Sequence, residues 1–223
     1  MASAIALAGR GRGRTAPNPP VGCVIVRDGR LIGRGWTQPG GRPHAEAQAI
    51  EASGDITGAT LYVTLEPCAH LSARGPACAD LIVAARPARV VIAVRDPDPR
   101  TDGKGIARLE AAGIAVSDGV ECAAARVSMA GFLTRQDKRR PHVTLKLAVS
   151  LDGRIALADG SSRWITGPAA RAHTHLERAR HEMILVGRGT LEADDPKLNV
   201  RLPGLEDRAP HRALLGHGLG PSG

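Results

Sequence analysis

PHAEAQAI at 43–50, TLYVTLEPCAH at 60–70 and RGPAC at 74–78 lie close together in the chain and set its architecture. The first is an alanine-rich run with helical character. In the second, Leu61, Val63 and Leu65 alternate with Tyr62 and Thr64, the period of a strand with one face buried. The third leads into CADLIVAA at 78–85, again helical. Helices alternating with strands need crossover connections, so this part of the sheet is expected to be parallel. Upstream, apolar runs at 21–26 and 31–36 flank Arg27, Asp28, Gly29 and Arg30, and Asp-Gly between two such runs signals a hairpin, so the first two strands are antiparallel. Downstream, a buried strand at 90–94, a helix at 106–112, a strand at 114–116 and a helix at 122–133 complete a three-layer α/β domain.

The same stretch carries the chemistry. His44, Cys68 and Cys78 offer one imidazole and two thiols, and a catalytic zinc takes three such ligands and keeps its fourth position open. Glu46 is too close in sequence to His44 for a comfortable fourth ligand, yet well placed to move protons there. Three blander readings compete: ordinary core residues, a structural zinc with a further ligand, and a Cys68–Cys78 disulfide. Against them, Glu66-Pro67 before Cys68 suits a strand end running into a helix start, where the helix dipole favours a thiolate. H-x-E followed by P-C is also the pattern of zinc deaminases that act on bases.

Composition narrows the field. The 223 residues are 43% hydrophobic, enough for one large or two small cores, but only 2% aromatic. With Trp36, Tyr62, Phe132 and Trp164 alone, a stacking platform for single-stranded nucleic acid is hardly possible. The net charge of +8 is spread along the chain, with 15 basic and 12 acidic residues up to Thr134 and 15 and 10 beyond. Such a spread suits a phosphorylated small substrate or a merely arginine-rich proteome. Four cysteines, two of them assigned to metal, and no long apolar run imply a reducing cytoplasm and no membrane. Cys23 and Cys122 are expected to be buried spectators.

Around this centre, 1–14 reads as a short apolar helix followed by GRGRGR, and 15–20 as a proline-braced loop in which Asn18 offers a donor and an acceptor. Asp96-Pro97-Asp98-Pro99 lies at a strand end, a usual place for ligand contacts. The first domain is assigned to 1–134, and the polar, basic segment 135–141, ended by Pro141, is read as a linker. Beyond it, 143–149 reads as a strand, Pro168 as the first turn of a helix and 183–186 as a strand. No G-x-G-x-x-G follows a strand, so there is no Rossmann fingerprint.

HAE at 44–46, EPCAH at 66–70, PAC at 76–78 and PNPPVG at 17–22 resemble the riboflavin-biosynthesis deaminase/reductase family, diaminohydroxyphosphoribosylaminopyrimidine deaminase and 5-amino-6-(5-phosphoribosylamino)uracil reductase. KLAVSLDG at 146–153, SRWITG at 162–167, ILVGRGT at 184–190 and ADDP at 193–196 are similar to its reductase half. The resemblance implies a cytidine-deaminase-like domain with a mixed five-stranded sheet, followed by an incomplete dihydrofolate-reductase-like α/β domain over 142–208. It implies zinc on His44, Cys68 and Cys78, Glu46 as the proton carrier, and Asn18 and His70 as substrate contacts. In the reductase half it implies NADPH on Ala148, Trp164, Thr190 and Asp194, and substrate on Ser162, Arg178, Leu198 and Arg201. The partner is then a phosphorylated pyrimidine, with no nucleic acid and no membrane, and self-association as a homo-oligomer stays open. One departure stands out: the loop at 71–75 carries an extra residue, since ten positions separate Cys68 from Cys78 where the family has nine. Only 83 residues follow Arg140, so the reductase is read as truncated and unable to oxidise NADPH, and 209–223 as disordered. A tRNA adenosine deaminase, or an inactive zinc-binding module with four protein ligands, remain as rival readings.

Overall fold

The computed structural model describes residues 1–70, 72–162 and 164–216, in two compact units that divide between His142 and Val143. In the first unit, α1 (Ala2–Ala8) precedes the hairpin β1 (Gly22–Arg27) and β2 (Arg30–Trp36). Asp28 and Gly29 both have positive φ, 51° and 73°, as the two-residue turn requires. Then come α2 (Ala45–Ser53), β3 (Thr60–Leu65), α3 (Cys78–Ala85), β4 (Arg89–Val94), α4 (Lys104–Ala111) and β5 (Ala115–Ser117). The sheet order is β2-β1-β3-β4-β5, with β1 antiparallel to both neighbours and β3, β4 and β5 parallel. This is the mixed five-stranded sheet expected. Helices α2 and α3 pack together on one side, α2 against β1 and β2, while α1 lies along β1, β2 and β3.

The core is aliphatic, as the scarcity of aromatics dictates. Ile25, Leu61, Val63, Val90 and Ile92 are fully buried between the helical layers. Ligand-bearing segments leave the sheet at one end: β3 runs into Pro67 and Cys68, and β4 into Asp96.

Two boundaries differ from the sequence reading. The helix expected at 122–133 is broken at Met129 into α5 (Cys122–Ser128) and α6 (Ala130–Lys138), so most of the supposed linker 135–141 is the end of a helix. Its residues are good helix formers whose charge faces water, and polarity alone does not distinguish such a turn from a linker.

In the second unit, α7 (Pro168–Ala179) starts with Pro168 in its first turn, as expected, and β6 (Met183–Gly187) leads into α8 (Arg188–Asp194). The expected strand at 143–149 does not form: Val143, Leu145 and Leu147 are 74%, 79% and 61% exposed. Alternation supplies a face, but a strand also needs a hydrogen-bonding neighbour. Conversely, β7 (His211–Leu215) stands in the segment expected to be disordered, pairing in parallel with β6 from Met183 opposite His211 to Gly187 opposite Leu215. The rest of that segment from residue 217, and Leu71 of the lengthened loop, lie outside the described residues.

Candidate active site

Two helix N-termini and one strand end bring the three expected ligands together. His44 is the N-cap of α2, Cys78 is the first residue of α3, and Cys68 lies in the loop after β3. Cys68 is therefore not itself at a helix start, as the sequence suggested; instead its sulfur accepts the Cys78 backbone N–H at the start of α3, 3.3 Å away. The ligand atoms of His44, Cys68 and Cys78 all lie within 4.8 Å of one another, and no fourth His, Cys, Asp or Glu joins the group among the described residues. All four cysteines are free thiols, which removes the disulfide reading.

The donor set fits zinc. Tetrahedral zinc with bonds of about 2.0 Å to nitrogen and about 2.3 Å to sulfur places those atoms about 3.5 Å apart. His44 Nδ1 lies 3.3 Å from Cys78 Sγ and 3.6 Å from Cys68 Sγ. The other ring nitrogen, Nε2, is 3.0 Å from Asn18 Nδ2, which also donates to the Gly41 carbonyl at 2.9 Å. The hydrogen bond from Cys78 brings Cys68 down to about 4, against its burial, with His44 adding to the pull. Cys78 moves the other way, raised first by that shared bond and then by burial. The pair thus favours a thiolate on Cys68 over one on Cys78.

Glu46 sits in the first turn of α2, 3% exposed. Burial pushes its carboxyl up to about 7, against the opposing pull of His44. It lines a cavity of about 310 Å3 together with Asn18, His44, Cys68 and His70. All the sequence-predicted residues of the deaminase half thus meet at one cavity except Cys78, which backs it from α3.

The cavity has two further walls, the first at the strand end that the sequence marked as a usual place for ligand contacts. Asp96, Asp98 and Arg100 line one side, and Phe132, Arg135 and Gln136 of α6 another. Asp98 is held at about 2 by the side-chain hydrogen bonds of Arg100, and burial lifts Asp96 to about 6. The DPDP motif at a strand end was the available signal for the first wall; α6 had none. In the lengthened loop, the Ser72 carbonyl and hydroxyl accept the N–H groups of Gly75 and Arg74, forming a tight turn at the cavity rim.

The second unit brings its expected residues together only in part. Ser162 and Trp164 line a cavity of about 710 Å3 to which Ala148, Thr190 and Asp194 do not contribute. Arg178 donates to the Asn199 carbonyl at 3.0 Å and Arg201 to the Asn199 side chain at 2.8 Å, on either side of that residue, with Leu198 buried next to it. Burial, and then the Arg201 charge, lower the Arg178 pKa, and its Nε is buried with no hydrogen-bond partner among the described residues.

Comparison with known proteins bears on both units. Residues 1–94 match the family described as cytidine and deoxycytidylate deaminase zinc-binding region, and residues 141–220 match RibD C-terminal domain. The riboflavin biosynthesis protein RibD of Escherichia coli is 49% identical over 93% of this chain, and that of Bacillus amyloliquefaciens 48% over 91%. The chain spans 57% and 55% of the length of these relatives. Among solved structures, a diaminohydroxyphosphoribosylaminopyrimidine deaminase/5-amino-6-(5-phosphoribosylamino)uracil reductase from Thermotoga maritima is 44% identical with a TM-score of 0.89, covering 97% of this chain and 62% of that one. Acinetobacter baumannii RibD is 46% identical with a TM-score of 0.84, covering 96% and 61%. Matched along both units, the chain joins a cytidine and deoxycytidylate deaminase zinc-binding region to a RibD C-terminal domain, and over nearly its whole length it is similar to the RibD proteins of riboflavin biosynthesis.

Proposed function

We propose that the first unit deaminates 2,5-diamino-6-(5-phosphoribosylamino)pyrimidin-4(3H)-one by hydrolysis to 5-amino-6-(5-phosphoribosylamino)uracil. The observation that carries this reading is the ligand cluster: three protein donors rather than four among the described residues, with a buried carboxyl beside them and a cavity in front. Zinc, when bound by His44, Cys68 and Cys78, supplies a Lewis acid that makes water a nucleophile near neutral pH. Glu46 accepts a proton from the attacking water at its carboxylate and delivers it to the departing amino group; the water oxygen becomes the ring carbonyl, its second proton passes to the adjacent ring nitrogen, and ammonia leaves. Asn18, held by the Gly41 carbonyl, and His70, held by Thr101, orient the pyrimidine.

For the second unit we propose a substrate-binding role for Arg178 and Arg201. Two guanidiniums that repel one another and leave a buried N–H unpartnered suit a sugar phosphate, which guanidinium binds in bidentate fashion. A reducing cytoplasm is the compartment we assign, in keeping with four free thiols and with no described helix long and apolar enough to cross a membrane. A tRNA deaminase accords poorly with the attached RibD C-terminal sequence, and an inactive zinc module with a three-ligand site.

Glu46→Gln tests the assignment. The variant should keep one zinc per chain and lose ammonia release by about a hundredfold or more. Retained turnover would remove Glu46 from the proton path.

A further inference from the structure

A second buried carboxylate stands at the site, and its surroundings give it a different task. Glu66, two residues before Cys68, is 2% exposed. Its Oε2 accepts the backbone N–H groups of Asp96 at 3.2 Å and Gly103 at 3.0 Å. Its Oε1 accepts those of Gly105 at 2.9 Å and Ile106 at 3.1 Å. Four donors use the four acceptor positions of a carboxylate, so none is left to carry a proton for substrate. The packing is as tight as the bonding, because a Cβ on Gly105 would collide with the Pro67 carbonyl oxygen.

The four N–H groups belong to the loop after β4 and to the start of α4. Between them the same loop supplies Asp98 and Arg100 to the cavity wall, and Thr101, which is fully buried. Thr101 Oγ1 lies 3.3 Å from His70 Nδ1. A continuous path therefore runs from the Glu66 carboxylate through the loop to Thr101 and on to His70, while the backbone on the other side runs from Glu66 directly to Cys68.

We propose that Glu66 is a positioning residue for the deaminase site, fixing the 96–103 loop and, through Thr101, the place of His70 relative to Cys68. The proposal rests on the deaminase reading above. An amide at this position offers one acceptor oxygen and presents its own N–H groups to two backbone donors, which makes Glu66→Gln the informative change.

The test uses the zinc-loaded full chain, its Glu66→Gln variant and Thr101→Val, which cuts only the last link with a side chain of similar shape. Zinc content, amide exchange at 103–106, the NMR resonances of the His70 ring, and KM and kcat for ammonia release are read together. Glu66→Gln should keep one zinc per chain, exchange faster at Gly103 and Gly105, shift the His70 resonances, and raise KM about tenfold or more with a smaller change in kcat. Thr101→Val should move His70 and KM the same way and leave exchange at Gly105 unchanged. Unchanged His70 resonances and KM in a folded, zinc-loaded Glu66→Gln variant would overturn the proposal, as would a loss of activity that only tracks loss of zinc. If Glu66→Gln does not fold, Thr101→Val decides by the same two readouts. If the wild type releases no ammonia, the deaminase reading fails, and the His70 resonances still decide whether Glu66 sets that residue's place.

Discussion

Gly35 of β2 and Ala45 of α2 meet with no room for a carbon atom between them: a Cβ on Gly35 would collide with the Ala45 carbonyl oxygen. Helix α2 carries His44 as its cap and Glu46 in its first turn, so this contact sets how close both lie to the sheet that delivers Cys68. Zinc binding is thereby coupled to the packing of a glycine outside the ligand set.

Gly35→Ala should destabilise the fold by about 1–3 kcal/mol, the usual cost of overpacking, and weaken zinc binding by about tenfold or more as α2 is pushed outward. Gly131→Ala in α6, where an added Cβ meets nothing, is the control and should be neutral or slightly stabilising. Denaturant titration and competition with a zinc chelator read the two effects. Equal zinc affinity in the two variants would disconnect the Gly35 contact from the site.

In the metal-free protein, Glu46 should subtract stability as pH rises between about 4.5 and about 7. Burial holds the Glu46 carboxyl up at about 7, so the folded state keeps a proton that the unfolded state releases from about 4.5 upward. Glu46→Gln abolishes that difference. Relative to wild type, the metal-free variant should gain up to roughly 3 kcal/mol at pH 8 and nothing at pH 4. Urea titrations of chelator-treated protein at both pH values measure this, and a pH-independent gap between the two proteins would contradict it.

Asp98 and Arg100 give the opposite sign. The Arg100 guanidinium, 2.6 Å from Asp98, holds that carboxyl at about 2, so the pair contributes stability above the ordinary carboxylate range and loses it as pH falls through about 2. The Arg100 side chain is 66% exposed, and solvent screening keeps the contribution small. Arg100→Ala should cost about 0.5–1 kcal/mol at pH 7 and close to nothing at pH 2, as read by thermal melts.

The parts of the fold that short-range chemistry decides were legible in the sequence. Asp28-Gly29 announced a two-residue turn, and both residues adopt the positive φ that such a turn demands. The alternation of Leu61, Val63 and Leu65 announced β3, and three soft donors with a carboxylate two residues from one of them announced the grouping of His44, Cys68 and Cys78. What depends on distant partners was not legible. The pattern of Val143, Leu145, Leu147 and Val149 promised a strand, yet pairing is set by a neighbour that a local window does not contain. HRALL, with no β-branched residue, forms β7 because β6 offers it an edge. The task of Glu66 rests on four N–H groups 30 to 40 residues further along the chain, and nothing in Glu-Pro-Cys foretells them.

Ammonia release from the diaminopyrimidinone ribosylamine 5'-phosphate, measured on the zinc-loaded chain, after chelation and after zinc is restored, tests the central claim most directly. The account predicts release that disappears with zinc and returns with it. Folded protein that holds one zinc per chain and releases no ammonia, or release that survives removal of zinc, would contradict it.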